Sequence, residues 1–271
     1  LAQIYKKKNA DGSSYGGPAF YMRDALNARW LGVIFSVLII FTYAIGYNML
    51  AAFNLQSTFK VFSFYGDRTP AIIGAILAVL FGAVVIGGAH RLVKVTGVLV
   101  PVMGIVYVAI SLIVLVLNIG NIPAMFAGIF KNAFDFQAIF GGFAGSCIMF
   151  GIKRGLYSNE AGMGSAPNAA ATADVSHPAK QGLVQMLSVF IDTMLICTAT
   201  AFMCLSTNII PQNYLAADGS ADAAGYVQAA TASTLGKFGP IFIAFAMCLF
   251  AFTTLIGNYS YCEGCIRFII Q

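Results

Sequence analysis

The residues best able to do chemistry in this 271-residue chain are few and widely spaced. Thr253 and Thr254 stand side by side in the run Phe252-Thr253-Thr254-Leu255-Ile256-Gly257-Asn258-Tyr259-Ser260. Adjacent hydroxyls can offer oxygens to a hard cation, which takes oxygen ligands. They can equally bond back to carbonyls of the preceding helical turn, as membrane Ser and Thr commonly do. Asp192 is an acid deep inside an apolar stretch, where a charge costs at least about 2.5–3.5 kcal/mol and calls for a partner facing the protein interior. Two roles are open to it: an ion or proton relay, or a structural acid tied to Thr193 or to a hydroxyl on a neighbouring helix. A third place is Phe140-Gly141-Gly142-Phe143-Ala144-Gly145-Ser146. Glycines cost about 1 kcal/mol each against alanine in a helix interior, so this run marks an unwinding point. Unwound backbone at membrane depth must be buried in protein or line a polar cavity, and a short glycine-interrupted span points to a transporter binding site. The same spacing of Gly142 and Ser146 also suits close packing of two unbroken helices.

The most polar stretch follows, from Lys153 to Ala171. Ser158 or Asn159 can cap a short helix there, and Gly162 and Gly164 can end one. Glu160, close in sequence to Lys153 and Arg154, suits a gate or a structural ion pair rather than catalysis. The glycines at 162–167 make no phosphate loop, because no lysine follows and no strand precedes. His90 and His177 lie in polar connections with no oriented triad, which argues against a membrane enzyme built on Ser or Cys with His. Cys262 and Cys265 form a CxxC without a second ligand pair, so zinc is not expected. Five of the six cysteines, Cys147, Cys197, Cys204, Cys248 and Cys262, lie in or at apolar stretches and read as small hydrophobes.

The elements that must position these residues follow from composition. Apolar residues make up 59% and charged residues 9%, against about 45–50% and 25% in an ordinary soluble domain. Mean hydropathy is +0.82. Twenty-five charged side chains are too few to cover a globular surface, and disorder would require fewer apolar residues and more charge. A net charge of +5 without a basic stripe gives no footprint for nucleic acid. The chain is therefore read as all-α and integral to a membrane, with the lipid bilayer as its surroundings. Spans need about 20 mostly apolar residues, and six are expected, near 30–54, 71–89, 95–118, 136–152, 182–206 and 238–261. No period-two blocks support a β-barrel.

Lys and Arg in alternate connections number eleven on one side and four on the other. By the positive-inside rule the eleven-charge side is cytoplasmic, and both ends of the chain fall on it. The chain starts without Met, and Leu1–Tyr5 reads as the tail of an earlier helix. A single transmembrane domain over 1–271, an internal piece of a longer transporter, is the expectation.

The run RGLYSNEAGMGSAPNAAATADVSHPAKQGLVQMLSVFIDT at 154–193 resembles the sodium:alanine (or glycine) symporter family. So do YGGPAFYM at 15–22, RLVKVTGVLVPVMGIVY at 91–107 and FAFTTLIGNYSYCEG at 250–264. The resemblance covers essentially the whole chain. It implies the leucine-transporter-type fold, two inverted five-helix repeats around a central site, with the six spans matching transmembrane helices three to eight. The glycine-interrupted span then falls where the broken sixth helix belongs, which makes Phe140, Gly141, Gly142, Gly145 and Ser146 the expected substrate-binding residues. Thr253 and Thr254 match a hydroxyl pair that helps hold sodium between the first and eighth helices.

Two departures stand out. Many members of the family carry a third-helix segment like NSVQANS. Here it reads Asn48-Met49-Leu50-Ala51-Ala52-Phe53-Asn54, so Ala51 replaces the glutamine and Phe53 the asparagine. That wall of the pocket should be larger or less polar. Gly97 stands where the family often has Glu. The implied function is sodium-coupled uptake of a small neutral amino acid such as alanine or glycine across the plasma membrane. Sodium is co-transported, a monomer is sufficient, and Asp192, Asn159 and Glu160 act as structural or gating residues. The rivals are a membrane-embedded enzyme and a non-transporting membrane scaffold.

Overall fold

A computed structural model describes residues 1–9, 12–133, 143–160, 162–214 and 222–271. Two short strands, β1 (Lys7–Lys8) and β2 (Ser14–Tyr15), pair antiparallel near the N-terminus. The helices that follow are α1 (Pro18–Leu26), α2 (Arg29–Ser57), α3 (Thr69–Val85) and α4 (Gly88–Leu117). Then come α5 (Ile122–Ala133), α6 (Phe143–Ser158), α7 (Ser165–Thr172), α8 (Pro178–Leu205), α9 (Ala223–Leu235) and α10 (Phe238–Ile270).

Among the described residues four helices are long and apolar enough to cross a bilayer: Arg29–Ser57, Lys94–Leu117, Pro178–Leu205 and Phe238–Ile270. Thr69–Val85 is apolar but shorter. The largest differences are at two boundaries. Helix α10 runs nine residues past the expected 261, because Glu263 and Arg267 form an i, i+4 ion pair at 2.7 Å that suits a helix leaving the apolar layer. Helix α6 begins at Phe143, so Gly145 and Ser146 sit in regular helix. The expectation of a non-helical run over 140–146 is thus corrected for 143–146, where the helical ladder absorbs the lone Gly145. Phe140, Gly141 and Gly142 lie outside the described residues.

Helix α10 is the hub of the fold, packing against α1, α2, α3, α4, α7 and α9. Its most apolar window is 39% buried within the chain, against 11% for α8. Close approach is built in by small residues: a Cβ on Gly32 of α2 would stand 2.6 Å from the Phe268 ring and 2.9 Å from the Ala19 carbonyl. Phe20 and Phe268 meet edge to face at 5.1 Å beside it. Outward faces carry exposed Val79, Ile105 and Met186, the signature of surfaces that meet lipid or further protein rather than water.

Helices α2 and α8 each contain one wide π-helical turn, Phe41–Tyr47 and Ile191–Cys197. Such turns are rare and often lie at functional sites. In α8 the loosened backbone recovers a partner from a side chain, as the Thr198 hydroxyl donates to the Thr193 carbonyl at 3.2 Å. His177, weighed above for catalysis, instead caps α8, its Nδ1 accepting from the Ala179 amide at 3.1 Å.

Candidate functional site

Four separate stretches converge on a cavity of about 500 Å³. The β-turn segment supplies Asn9 and Tyr15, α4 supplies Thr96 and Val100, α7 and its C-terminal end supply Asn168 and Asp174, and α10 supplies Thr253, Ser260, Glu263 and Arg267. The charged residues of the lining come from the end of α7 and the C-terminal turns of α10, and Thr253 comes from the middle of α10. Thr253 lies at the inner end. It is fourteen residues before Arg267, about 21 Å along the helix axis.

The Thr253 hydroxyl donates to the carbonyls of Leu249 and Phe250, both at 3.0 Å. Thr254 donates to the Phe250 carbonyl at 2.8 Å. Back-bonding, one of the two readings open from sequence, is therefore what both hydroxyls do. It does not remove them as ligands, because donation uses the proton and leaves the oxygen lone pairs for a cation. The two differ in direction: Thr253 is half-buried and lines the cavity, and Thr254 is exposed. Adjacent helical positions point to different sides, so only one of the pair reaches this space.

The wall opposite is polar. Asn168 is 6% exposed, and its Nδ2 has no hydrogen-bond partner among the described residues. Its carboxamide is pressed against Gly17, whose φ of +133° and missing side chain leave the space that the amide fills. Arg267 donates to Glu263 at 2.7 Å and to the Asn9 carboxamide oxygen at 3.3 Å, and lies 5.7 Å over the Tyr15 ring. Gln271 donates to the Tyr15 hydroxyl at 2.8 Å, which completes the collar around the opening.

The gating candidates gather elsewhere, where α6 ends against the π-turn of α8. Ser158 donates to the Asp192 carboxylate. Asn159 and Thr193 exchange two bonds, at 2.8 and 3.2 Å. The partner of the intramembrane acid is thus a neighbouring helix's hydroxyl, one of the alternatives read from sequence, while Thr193 pairs with Asn159 instead. Asn159 also caps the end of α6, its Nδ2 donating to the Gly155 carbonyl at 3.1 Å. Gly162 and Gly164 do take left-handed values, φ +78° and +88°.

Glu160 forms no ion pair with Lys153 or Arg154, the described ion pairs being Lys7–Asp24, Arg23–Asp24 and Glu263–Arg267. Its own left-handed φ of 49° swings it away from the preceding helix. It lies within electrostatic reach of Tyr43, Tyr47 and Tyr261. Burial pushes its carboxyl above the ordinary 4.5, with the nearby Ser165 hydroxyl pulling the other way. Tyr43 and Tyr47, four residues apart in the π-turn of α2, stack at 4.7 Å, and Tyr47 stacks on Tyr157 at 5.2 Å. Both tyrosine hydroxyls point at the Met163 sulfur, at 3.5 and 3.0 Å.

Ala51 lines neither described cavity. It packs beside Leu55, Leu77 and Ala251 in an apolar seam between α2, α3 and α10. A small side chain here lets two helices meet. One turn earlier, Asn48 accepts from the buried Asn258 of α10 at 2.6 Å.

Comparison with known proteins decides the family. The model of the sodium:alanine symporter family matches residues 1–271. The chain belongs to that family. It is 44% identical over 270 residues to the amino-acid carrier protein AlsT of Bacillus subtilis, covering 99% of this chain and 55% of that one. It is 35% identical over 277 residues to the sodium/alanine symporter AgcS of Methanococcus maripaludis, covering 100% and 59%. A sodium/proton-dependent alanine carrier of Bacillus sp. strain PS3 is 40% identical over 210 residues, 74% of this chain and 47% of that one. The chain thus spans about half the length of the curated relatives it matches. The family is one of membrane transporters, not enzymes, so the rival enzyme reading falls.

Sequence reasoning missed Asn168, the Asn48–Asn258 bond and the collar around Tyr15. Only the collar left a signal, the i, i+4 spacing of Glu263 and Arg267. A buried amide facing a cavity has no periodicity, because its burial comes from a segment 150 residues away in the chain.

Proposed function

We propose that this chain forms the central part of a sodium-coupled symporter that carries a small neutral amino acid into the cytoplasm. In this reading it is a partial leucine-transporter-type inverted-repeat fold, its six spans being transmembrane helices three to eight, in the plasma membrane with both ends cytosolic. Thr253 and Thr254 contribute oxygens to the sodium site. Phe140, Gly141, Gly142, Gly145 and Ser146 border the substrate, with the helix break confined to the residues before Phe143. One observation carries the reading: a cavity rimmed by Asp174, Glu263 and Arg267 leads from Thr253 to the charge-rich face that the positive-inside rule makes cytoplasmic. Such a passage is what an ion released inward from the threonine pair requires. Sodium entry down about 100 mV yields about 2.3 kcal/mol per charge, enough to drive uphill uptake.

The test uses the complete transporter in proteoliposomes, with radiolabelled alanine as cargo and sodium varied outside. Uptake should depend on sodium. Thr253→Val, nearly isosteric but lacking the oxygen, should raise the half-saturating sodium concentration about tenfold or more, as loss of a contact to a charged group implies. Thr253→Ser should be mild. Unchanged sodium dependence in both Thr253→Val and Thr254→Val would place the ion elsewhere.

A further inference from the structure

The outer end of this cavity is held by contacts of unequal strength. On one side the glycines that follow β2 are wedged against α7: a Cβ on Gly16 would stand 3.0 Å from the Ala171 Cβ, and the Asn168 carboxamide fills the space beside Gly17. Surfaces interlocked this closely move together. On the other side the backbones stand farther apart, since a Cβ on Gly264 of α10 would reach only ordinary contact, 3.8 Å, with the Gly16 carbonyl. Long side chains bridge that gap. Arg267 donates to the Asn9 carboxamide oxygen at 3.3 Å and lies 5.7 Å over the Tyr15 ring, and Gln271 donates to the Tyr15 hydroxyl at 2.8 Å. The Arg267 side chain is 42% exposed, so water competes for these contacts. Arg267 also donates to Glu263 at 2.7 Å, one turn back on its own helix. That bond persists if Tyr15 and α10 part, so separation leaves no charge without a partner.

We propose that Arg267 is a gating residue of the transport cycle, a latch whose hold on Asn9 and Tyr15 closes the outer end of the cavity and whose release opens it. The proposal rests on the symporter reading given above, which makes that end the cytoplasmic exit. Thr253, Ser260 and Arg267 follow one another at seven-residue steps along α10 and all line the cavity, so each lies about 10 Å from the next on one helix face. An ion or cargo leaving Thr253 passes Ser260 and then meets the latch. Arg267 acts through Tyr15 and not on the ion or cargo, which makes it a positioning residue. Opening requires no helix to melt, only the exchange of exposed side-chain contacts for water.

The experiment places a thiol inside the latch, Ser260→Cys, in the complete transporter oriented in proteoliposomes. Its labelling by a membrane-impermeant methanethiosulfonate is timed from each face and corrected for the same protein without that cysteine. Arg267→Met keeps the length of the stem without the charge, and should speed labelling from the cytosolic face about tenfold, the equivalent of about 1.4 kcal/mol. Tyr15→Leu alters the other half of the contact and should do the same, so it reports even if Arg267→Met fails to fold. The double variant should be little faster than either, because both remove one interaction. Arg267→Lys keeps a cation over the ring and should restore part of the slow rate. Cytosolic labelling unchanged in the folded variants overturns the latch. So does an equal rise from both faces, or a double variant whose rate multiplies the two single effects, since either marks a general loosening. Absence of sodium-driven alanine uptake by the unaltered protein in the same vesicles would instead overturn the symporter reading beneath it.

Discussion

The bond from Ser158 to Asp192 joins the end of α6 to the π-turn of α8. A hydrogen bond to a charged group is worth about 1.5–3 kcal/mol. Neutral interhelical bonds in membranes average about 0.6 kcal/mol and reach about 1.7. Asp192 is half-buried and Ser158 exposed within the chain, so the two should couple by about 0.6–1.5 kcal/mol. A double-mutant cycle of Ser158→Ala and Asp192→Ala, read as unfolding in mixed micelles, measures that coupling. Asp192→Asn keeps an acceptor for the Ser158 hydroxyl, so it should lose little stability and should retain sodium-dependent transport. Coupling below about 0.3 kcal/mol, the additivity error of such cycles, would refute the bond. Loss of sodium dependence in Asp192→Asn would show that the carboxylate is an ion ligand and not a structural acid.

Glu160→Gln should raise the Tm at pH 7. Its carboxyl titrates higher folded than unfolded, so stability falls as pH rises above 4.5 and then levels off; the gain from Gln should therefore vanish on acidification toward pH 4. Asp24 works in the opposite sense. The hydrogen bond from Arg23, aided by Lys7, holds its carboxyl below 3.8, so its contribution is complete above that pH and is lost as pH falls below it. Asp24→Asn should flatten that acid limb in a pH series of melts. Asn258→Leu breaks the bond to Asn48 inside the α2–α10 seam and should cost about 1–2 kcal/mol in thermal unfolding. Adding Asn48→Leu should recover part of that loss, because no orphaned acceptor then remains.

What the sequence by itself determined was whatever depends on the solvent. Nine percent charge and long apolar runs dictate helices in a bilayer, because backbone groups in hydrocarbon must bond within their own segment. Four described helices are accordingly long and apolar enough to cross a bilayer, and the motif at 154–193 was enough to name the family. The demand that Asp192 find a protein partner was legible too, since the cost of a lone acid in lipid leaves no other outcome. The partner's identity was not. Whether Asp192 meets Thr193 or Ser158 depends on which side chain crosses a gap between two helices, and the π-turn that re-aims them leaves no composition signal. Glu160 shows the same limit: its sequence neighbours are cationic, yet a left-handed φ turns it toward tyrosines far away in the chain. That Ala51 packs in the seam beside Leu77 and Ala251 follows only from the meeting of α2 with α3 and α10. Local periodicity specifies which residues leave water; the tertiary arrangement alone decides which of them share a cavity, because Thr253, Asn168 and Arg267 are brought together by helices distant in sequence.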